Sequence, residues 1–189
     1  VEFMAALMTS VIDNPGKVSE YIYSCRQMGI KILPPDINKG EGSFSVDGGN
    51  IRYGLAAIKS IGKPVIESII KERKAGGEFS NLKDFIERLS GKVNKRTIES
   101  FIKSGAFDSL GGTRKQFMVV YVQILDQVNR ERKYSMTGQL SLFDIVGDDQ
   151  KAEFDIPLPN VGEYEKETKL AFEKEVLGVY LSGHPLEDY

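Results

Sequence analysis

The sequence has no tryptophan, one cysteine, one histidine and no long apolar run, and each shortage closes off a class of protein. A lone Cys25 excludes an intrachain disulfide and a cysteine-rich zinc cluster, and with His184 as the single imidazole the His-rich metal centres go too. No stretch approaches the roughly 18 apolar residues that span a bilayer, so no membrane partner is expected. The start of the chain has neither a basic leader followed by an apolar stretch nor a small-residue cleavage site. A soluble protein of a reducing, cytoplasmic compartment is the expectation. The chain opens at Val1 inside an amphipathic pattern and stops at Tyr189 without a terminating signal, which reads as a fragment of a longer protein.

What is present suffices for a packed core: 189 residues, 41% hydrophobic and 10% aromatic, fit one large domain or two small ones. A net charge of −2 argues by itself against nucleic acid, but the charge is unevenly placed. From Ile51 to Gln116 there are 14 Lys and Arg against 7 Asp and Glu, a net +7, which leaves −9 for everything else. That asymmetry outweighs the total, because a phosphate feels only the field within a Debye length of about 8 Å.

Periodicity predicts a mainly α fold with a small β-hairpin or sheet. Phe3, Ala6, Leu7 and Val11 recur at helical spacing, and Asn14-Pro15 closes that helix and opens a second carrying Val18, Tyr21, Ile22 and Cys25 on one face. Ile30 to Leu33 reads as a strand halted by Pro34-Pro35. Phe44 to Val46 and Ile51 to Tyr53, around Asp47-Gly48-Gly49-Asn50, read as a hairpin. Helices are then expected over Leu55–Ile61, Val65–Lys74, Leu82–Leu89, Thr97–Lys103 and Thr113 to about Tyr134. The last starts with Thr113 and Gln116 at capping-box spacing and carries a stripe of Phe117, Val120, Tyr121, Ile124, Leu125 and Val128. Asp144 to Gly162, acidic and holding Pro157 and Pro159, reads as a surface linker before a charged helix over Glu163–Leu177.

Two segments share a helix, glycine turn, helix layout: Gly54 to Arg73 and Val93 to Lys115. In the first, Lys59, Ile61, Gly62 and Lys63 form a turn and Lys71 follows on the second helix. Glycine allows close backbone approach to a phosphate, and amides at a helix start favour an anion. In the second, Lys95 and Arg96 open a helix that ends at Lys103 and Gly105, and Gly112, Arg114 and Lys115 open the next. Contacts of this kind position a protein on a duplex without reading bases, so the expected affinity is salt-sensitive and sequence-blind. The plainer reading is a helical bundle with tight turns and a solvated basic face.

Taken together, Leu33-Pro34-Pro35-Asp36-Ile37-Asn38, Ile51-Arg52-Tyr53-Gly54-Leu55-Ala56-Ala57-Ile58-Lys59 and Ile102-Lys103-Ser104-Gly105-Ala106-Phe107-Asp108 resemble the bacterial replicative polymerase III alpha subunit family. The resemblance runs from Glu2-Phe3-Met4 to Gly183-His184-Pro185-Leu186 in the same order. It implies the end of a fingers domain over 1–53, a tandem helix-hairpin-helix domain gripping duplex DNA over 54–135, a clamp-binding peptide within 136–146, and an acidic linker and helix over 147–189 leading to an oligonucleotide-binding domain. The peptide would be Gln139, Leu140, Ser141, Leu142 and Phe143, docking on a beta sliding clamp; other polymerase III holoenzyme subunits are implied as partners through the parent. Leu142 and Phe143 would be apolar anchors and Gln139 an orienting hydrogen-bonding group. From the residues alone, a short strand or turn tucking Leu140 and Phe143 into the chain's own core is the favoured reading, and it is the resemblance that reverses it.

The family places its catalytic carboxylates, and the Mg2+ ions they hold, in a palm domain preceding Val1, so no catalytic residue and no cofactor is assigned to this chain. Asp36 beside Pro34-Pro35 is expected to shape a turn, Cys25 to sit in the core and His184 to be structural. The rival readings are a helix-hairpin-helix repair glycosylase, a protein-docking module with a basic face, and an error-prone paralogue of the same polymerase.

Overall fold

The computed structural model describes residues 1–137 and 156–186. Among them the chain forms α1 (Glu2–Ser10), α2 (Pro15–Gln27), β1 (Ile32–Leu33), β2 (Ser45–Asp47), β3 (Asn50–Arg52), α3 (Lys63–Gly76), α4 (Leu82–Arg88), α5 (Lys95–Ser104), α6 (Arg114–Met136) and α7 (Lys166–Leu177). The expected mainly α fold with a small sheet is what the structure has. Asn14 opens α2 by accepting from the Lys17 amide at 3.2 Å, with Pro15 in the first turn where its missing N–H costs nothing.

Strand and hairpin belong to one three-stranded sheet of order β1-β3-β2, in which β3 pairs parallel to β1 (Ile32 with Ile51) and antiparallel to β2 (Val46 with Ile51). Arg52 is almost buried there; its guanidinium donates to Asp47 at 2.7 Å and to the Pro34 carbonyl at 2.9 Å. Asp36 makes the expected turn, its carboxylate accepting from the amides of Asn38 at 2.8 Å and Lys39 at 3.1 Å. Cys25 is a core residue, and His184, exposed, accepts from the Leu186 amide at 3.1 Å.

One apolar core joins the helices to β1 and β3, from Met4 on α1 to Val179 after α7. Its centre is a chain of edge-to-face rings: Phe79 to Phe85 at 5.0 Å, Phe85 to Phe107 at 4.9 Å, and Phe107 to Phe117 at 6.4 Å between centroids. Two hydrogen bonds tie the sheet region to the helices: the Ile37 amide to the Ala106 carbonyl at 2.9 Å, and the buried Tyr53 hydroxyl to the Leu177 carbonyl at 3.0 Å. Helix α6 is built as its sequence pattern requires. The six residues of its stripe are all buried, and Thr113 and Gln116 form both halves of the capping box. Thr113→Ala should cost about 1 kcal/mol of stability, read as a lowered urea midpoint at unchanged slope.

The helix expected over Leu55–Ile61 is not there. Leu55–Ala57 makes a single 3-10 turn, Ile58 is extended, and Ser60 adopts a left-handed φ of +69°. The Lys59 amide, which a helix would bond to the Leu55 carbonyl, is committed elsewhere, and the amides at the start of the turn are held from outside. Leu55 and Ala56 donate to the carbonyls of Glu41 and Gly42, at 2.9 and 3.0 Å, and Lys59 donates to Val176 at 2.8 Å. Gly54 allows the first two contacts, since a Cβ there would lie 2.8 Å from the Gly42 carbonyl oxygen.

Candidate nucleic-acid interface

The two glycine turns have opposite surroundings, and the first, preceded by a single 3-10 turn instead of a helix, is a hairpin only on its α3 side. At the first, α3 begins after Gly62 with no side-chain cap, and Lys59, Gly62 and Lys63 are all exposed. Ile61 beside them is part-buried and packs on the core, which holds the turn in place. Pro64 in the first turn has no N–H and the Val65 amide is bonded to the Gly62 carbonyl at 3.2 Å, so this start offers an anion the Gly62 and Lys63 amides and the positive end of its dipole. Lys71 lies further along α3, exposed.

At the second hairpin the chain has already filled the equivalent position. The Glu163 carboxylate accepts from the amides of Arg114 at 3.0 Å and Lys115 at 3.2 Å, so an internal anion sits on the start of α6. Thr113 donates its hydroxyl to the Gly162 carbonyl at 2.5 Å, and the Gln116 side chain donates to the Pro159 carbonyl at 2.9 Å. The described end of the expected linker, from Ile156, is therefore seated against this helix start. The Lys115 ammonium lies 5.9 Å from the centre of the Tyr164 ring.

Arg114 was expected to face a phosphate and does not. Its side chain is 3% exposed and pairs with Asp108 at 3.0 Å and with Glu173 of α7, itself 1% exposed, at 3.2 Å. Burial works against its charge, but hydrogen bonds and attraction from Asp108 and then Glu173 prevail, and the guanidinium is held charged more firmly than usual. Gly105 and Gly112 are likewise architectural. Gly105 ends α5 at a φ of +85°, where a Cβ would strike the Arg114 guanidinium, and a Cβ on Gly112 would lie 2.7 Å from the Phe117 ring. The sequence signal that separates this hairpin from the first is the acidic pair Glu163 and Glu173 downstream, whose partners no local pattern reveals.

Among the basic residues that remain, Lys95 and Arg96 are exposed at the start of α5, whose first turn is capped by Asn94 through the Thr97 amide at 2.9 Å. Arg96 shares with Lys59 and Lys103 a cleft of about 300 Å3, completed by Ser60, Glu99, Ser100, Glu175 and Val176. The fold thus brings cations from the two hairpins together on one opening. Lys103 is already paired, its ammonium 3.0 Å from the Glu175 carboxylate and 5.3 Å from the Phe172 ring centre. Glu99 accepts from the Tyr121 hydroxyl, whose pKa burial and this carboxylate push up to about 12. Lys59 and Arg96 have no ion-pair partner among the described residues, and the three cations of the cleft against Glu99 and Glu175 leave it a net charge of +1.

Gln139, Leu140, Ser141, Leu142 and Phe143 lie outside the described residues. Among the described residues no three His, Cys, Asp or Glu side chains gather closely enough to hold a metal ion, so the residues do not fit a metal site, and no helix is long and apolar enough to cross a membrane.

A family model described as a helix-hairpin-helix motif matches residues 29–117. The chain is similar, at 42% identity over 186 residues, to the DNA polymerase III subunit alpha of Mycobacterium leprae, covering 98% of this chain and 16% of that protein. The subunit of the same name from Vibrio cholerae is 40% identical over 190 residues, and that of Thermus aquaticus 38% over 190 residues. Both alignments cover 100% of this chain, and 16% and 15% of the relatives. The chain spans about a sixth of the length of the curated relatives it matches.

Proposed function

This chain is a segment of the DNA polymerase III alpha subunit family, and from that premise we propose that it is the part of the polymerase that holds duplex DNA without reading its sequence. The observation that carries the reading is the pairing of an uncapped, exposed helix start at Gly62–Lys63 with a cleft where Lys59 and Arg96 have no ion-pair partner among the described residues. Cations so placed neutralise backbone phosphates and release counterions, which gives affinity to any sequence alike. In this reading residues 1–53 end the fingers, 54–135 form the DNA-holding domain, 136–146 carry a peptide for the beta sliding clamp, and 147–189 lead toward an oligonucleotide-binding domain. The whole subunit is then a cytoplasmic DNA-directed DNA polymerase, a nucleotidyltransferase working with other holoenzyme subunits, and Mg2+ belongs to its palm rather than to this segment.

The test is duplex binding by the 189-residue chain as salt is raised. Replacing both Lys59 and Lys63 with Ala should weaken binding and reduce the slope of log affinity against log salt by about 2, roughly 0.9 for each phosphate no longer neutralised. Duplexes of unrelated sequence should respond alike. A slope that survives the double substitution would remove the first hairpin from the interface, and a wild-type chain that ignores duplex at low salt would point to protein docking instead.

A further inference from the structure

We propose that the cleft between the Lys59–Ser60 turn, α5 and the end of α7 seats one backbone phosphodiester of the duplex, and that Glu175 is the internal counter-ion this phosphate displaces from Lys103. The inference rests on the duplex-binding reading and assigns it a defined seat. Five residues with donor side chains line the opening: Lys59, Lys103, Arg96, Ser60 and Ser100. Of the two carboxylates on its wall, Glu99 is turned to Tyr121, leaving Glu175 as the one that competes for a cation inside.

The shape of the opening is fixed from behind. The Lys59 amide is hydrogen-bonded to Val176 on α7 at 2.8 Å, and Ser60 holds its left-handed backbone, so the turn is set before any ligand arrives. Glu175, in contrast, is exposed, with 57% of its side chain accessible, and gives up one solvent-screened ion pair on leaving. A phosphodiester meeting Lys59, Arg96 and the released Lys103 makes charge-assisted hydrogen bonds with three cations. Because Glu175 is carried by α7, the same step gives α7 a different electrostatic environment with and without DNA.

The experiment compares wild type, Glu175→Gln, Arg96→Ala and Glu167→Gln for binding of a short blunt duplex across a salt series. Glu167 is exposed on the same helix and outside the cleft, so its variant carries the identical charge change elsewhere. Glu175→Gln should tighten binding about three- to tenfold and Glu167→Gln less than twofold, while Arg96→Ala should weaken binding and lower the salt slope by about 1. All three positions are exposed, so matched melting curves establish that the variants fold. Equal gains from the two glutamine variants would reduce the effect to net charge and overturn the seat. So would wild-type affinity in Arg96→Ala while a Lys63→Ala chain, run alongside to report on the turn outside the cleft, binds weakly, which leaves duplex binding standing without this cleft. A wild-type chain that binds no duplex brings down both readings. A final arm titrates inorganic phosphate against chloride of matched ionic strength: displacement of duplex by phosphate beyond the chloride effect, lost in Arg96→Ala, supports the seat, whereas phosphate that binds in the cleft and leaves duplex affinity at the chloride level would make it a free-anion site and not a seat for the backbone.

Discussion

Glu173→Ala should lower the stability of this chain by about 3–5 kcal/mol, the range for stranding one member of a buried ion pair. For a chain of this size that is a fall in melting temperature of about 6–20 °C. The Glu173 carboxylate is fully buried and accepts five hydrogen bonds: two from Arg114 at 3.2 Å, two from the Leu181 and Ser182 amides at 2.9 and 3.0 Å, and one from the Ser182 hydroxyl at 2.8 Å. Removing it strands part of a guanidinium in the interior, where a group left without a partner costs about 1–3 kcal/mol, and unpairs the less buried amides of Leu181 and Ser182. Arg114→Ala should destabilise comparably and leave the salt slope of duplex binding unchanged, which separates a structural arginine from a phosphate ligand. Replacing both with Arg114→Met and Glu173→Leu should recover much of the loss, since an apolar pair removes the orphaned charge. A melting shift under about 2 °C for Glu173→Ala would mean that the network does not hold α7 to the hairpins.

The second large effect is expected at the segment between α6 and Ile156. Leu142→Ala together with Phe143→Ala should abolish capture of the chain by purified bacterial sliding clamp, while the melting temperature stays within about 2 °C of wild type. Two apolar anchors of a short peptide carry most of its affinity, so truncating both leaves little binding. A large melting shift would instead place Leu142 and Phe143 in this chain's own core. Undiminished capture by the double variant would move the clamp contact elsewhere.

Helix α6 was legible in the sequence down to its capping box because its signals are local: a stripe at 3.6-residue spacing and two residues three apart. The sheet was half legible. Alternation around Asp47–Asn50 gives the hairpin, but the parallel pairing of Ile32 with Ile51 joins residues distant in sequence and leaves no pattern. The missing helix over Leu55–Ile61 failed for the same reason, since apolar spacing records burial and not that the Lys59 amide goes to Val176, far along the chain. At the site, exposure of Lys59, Lys63 and Arg96 followed from composition, whereas the conversion of Arg114 from ligand to strut depends on Glu173, 59 residues away. Basic residues beside a glycine turn look alike in sequence whether they face water or a buried carboxylate.

Helix α6 is buried up to Val128 and continues exposed to Met136, while the chain at Ile156 is back against Leu110 and Phe117 near the helix start. At 1.5 Å per residue, the two anchorage points stand about 30 Å apart. The 18 residues between them can stretch to about 65 Å, so nearly half of that contour is consumed by the return journey alone. Leu142 lies five residues past Thr137 and can stand no more than about 18 Å from it. If the proposed contact at Leu142 and Phe143 holds a clamp, the ring would be leashed close to the far tip of α6, a rod whose other end is seated on the hairpins, and the length of that rod would set where on the duplex it rides.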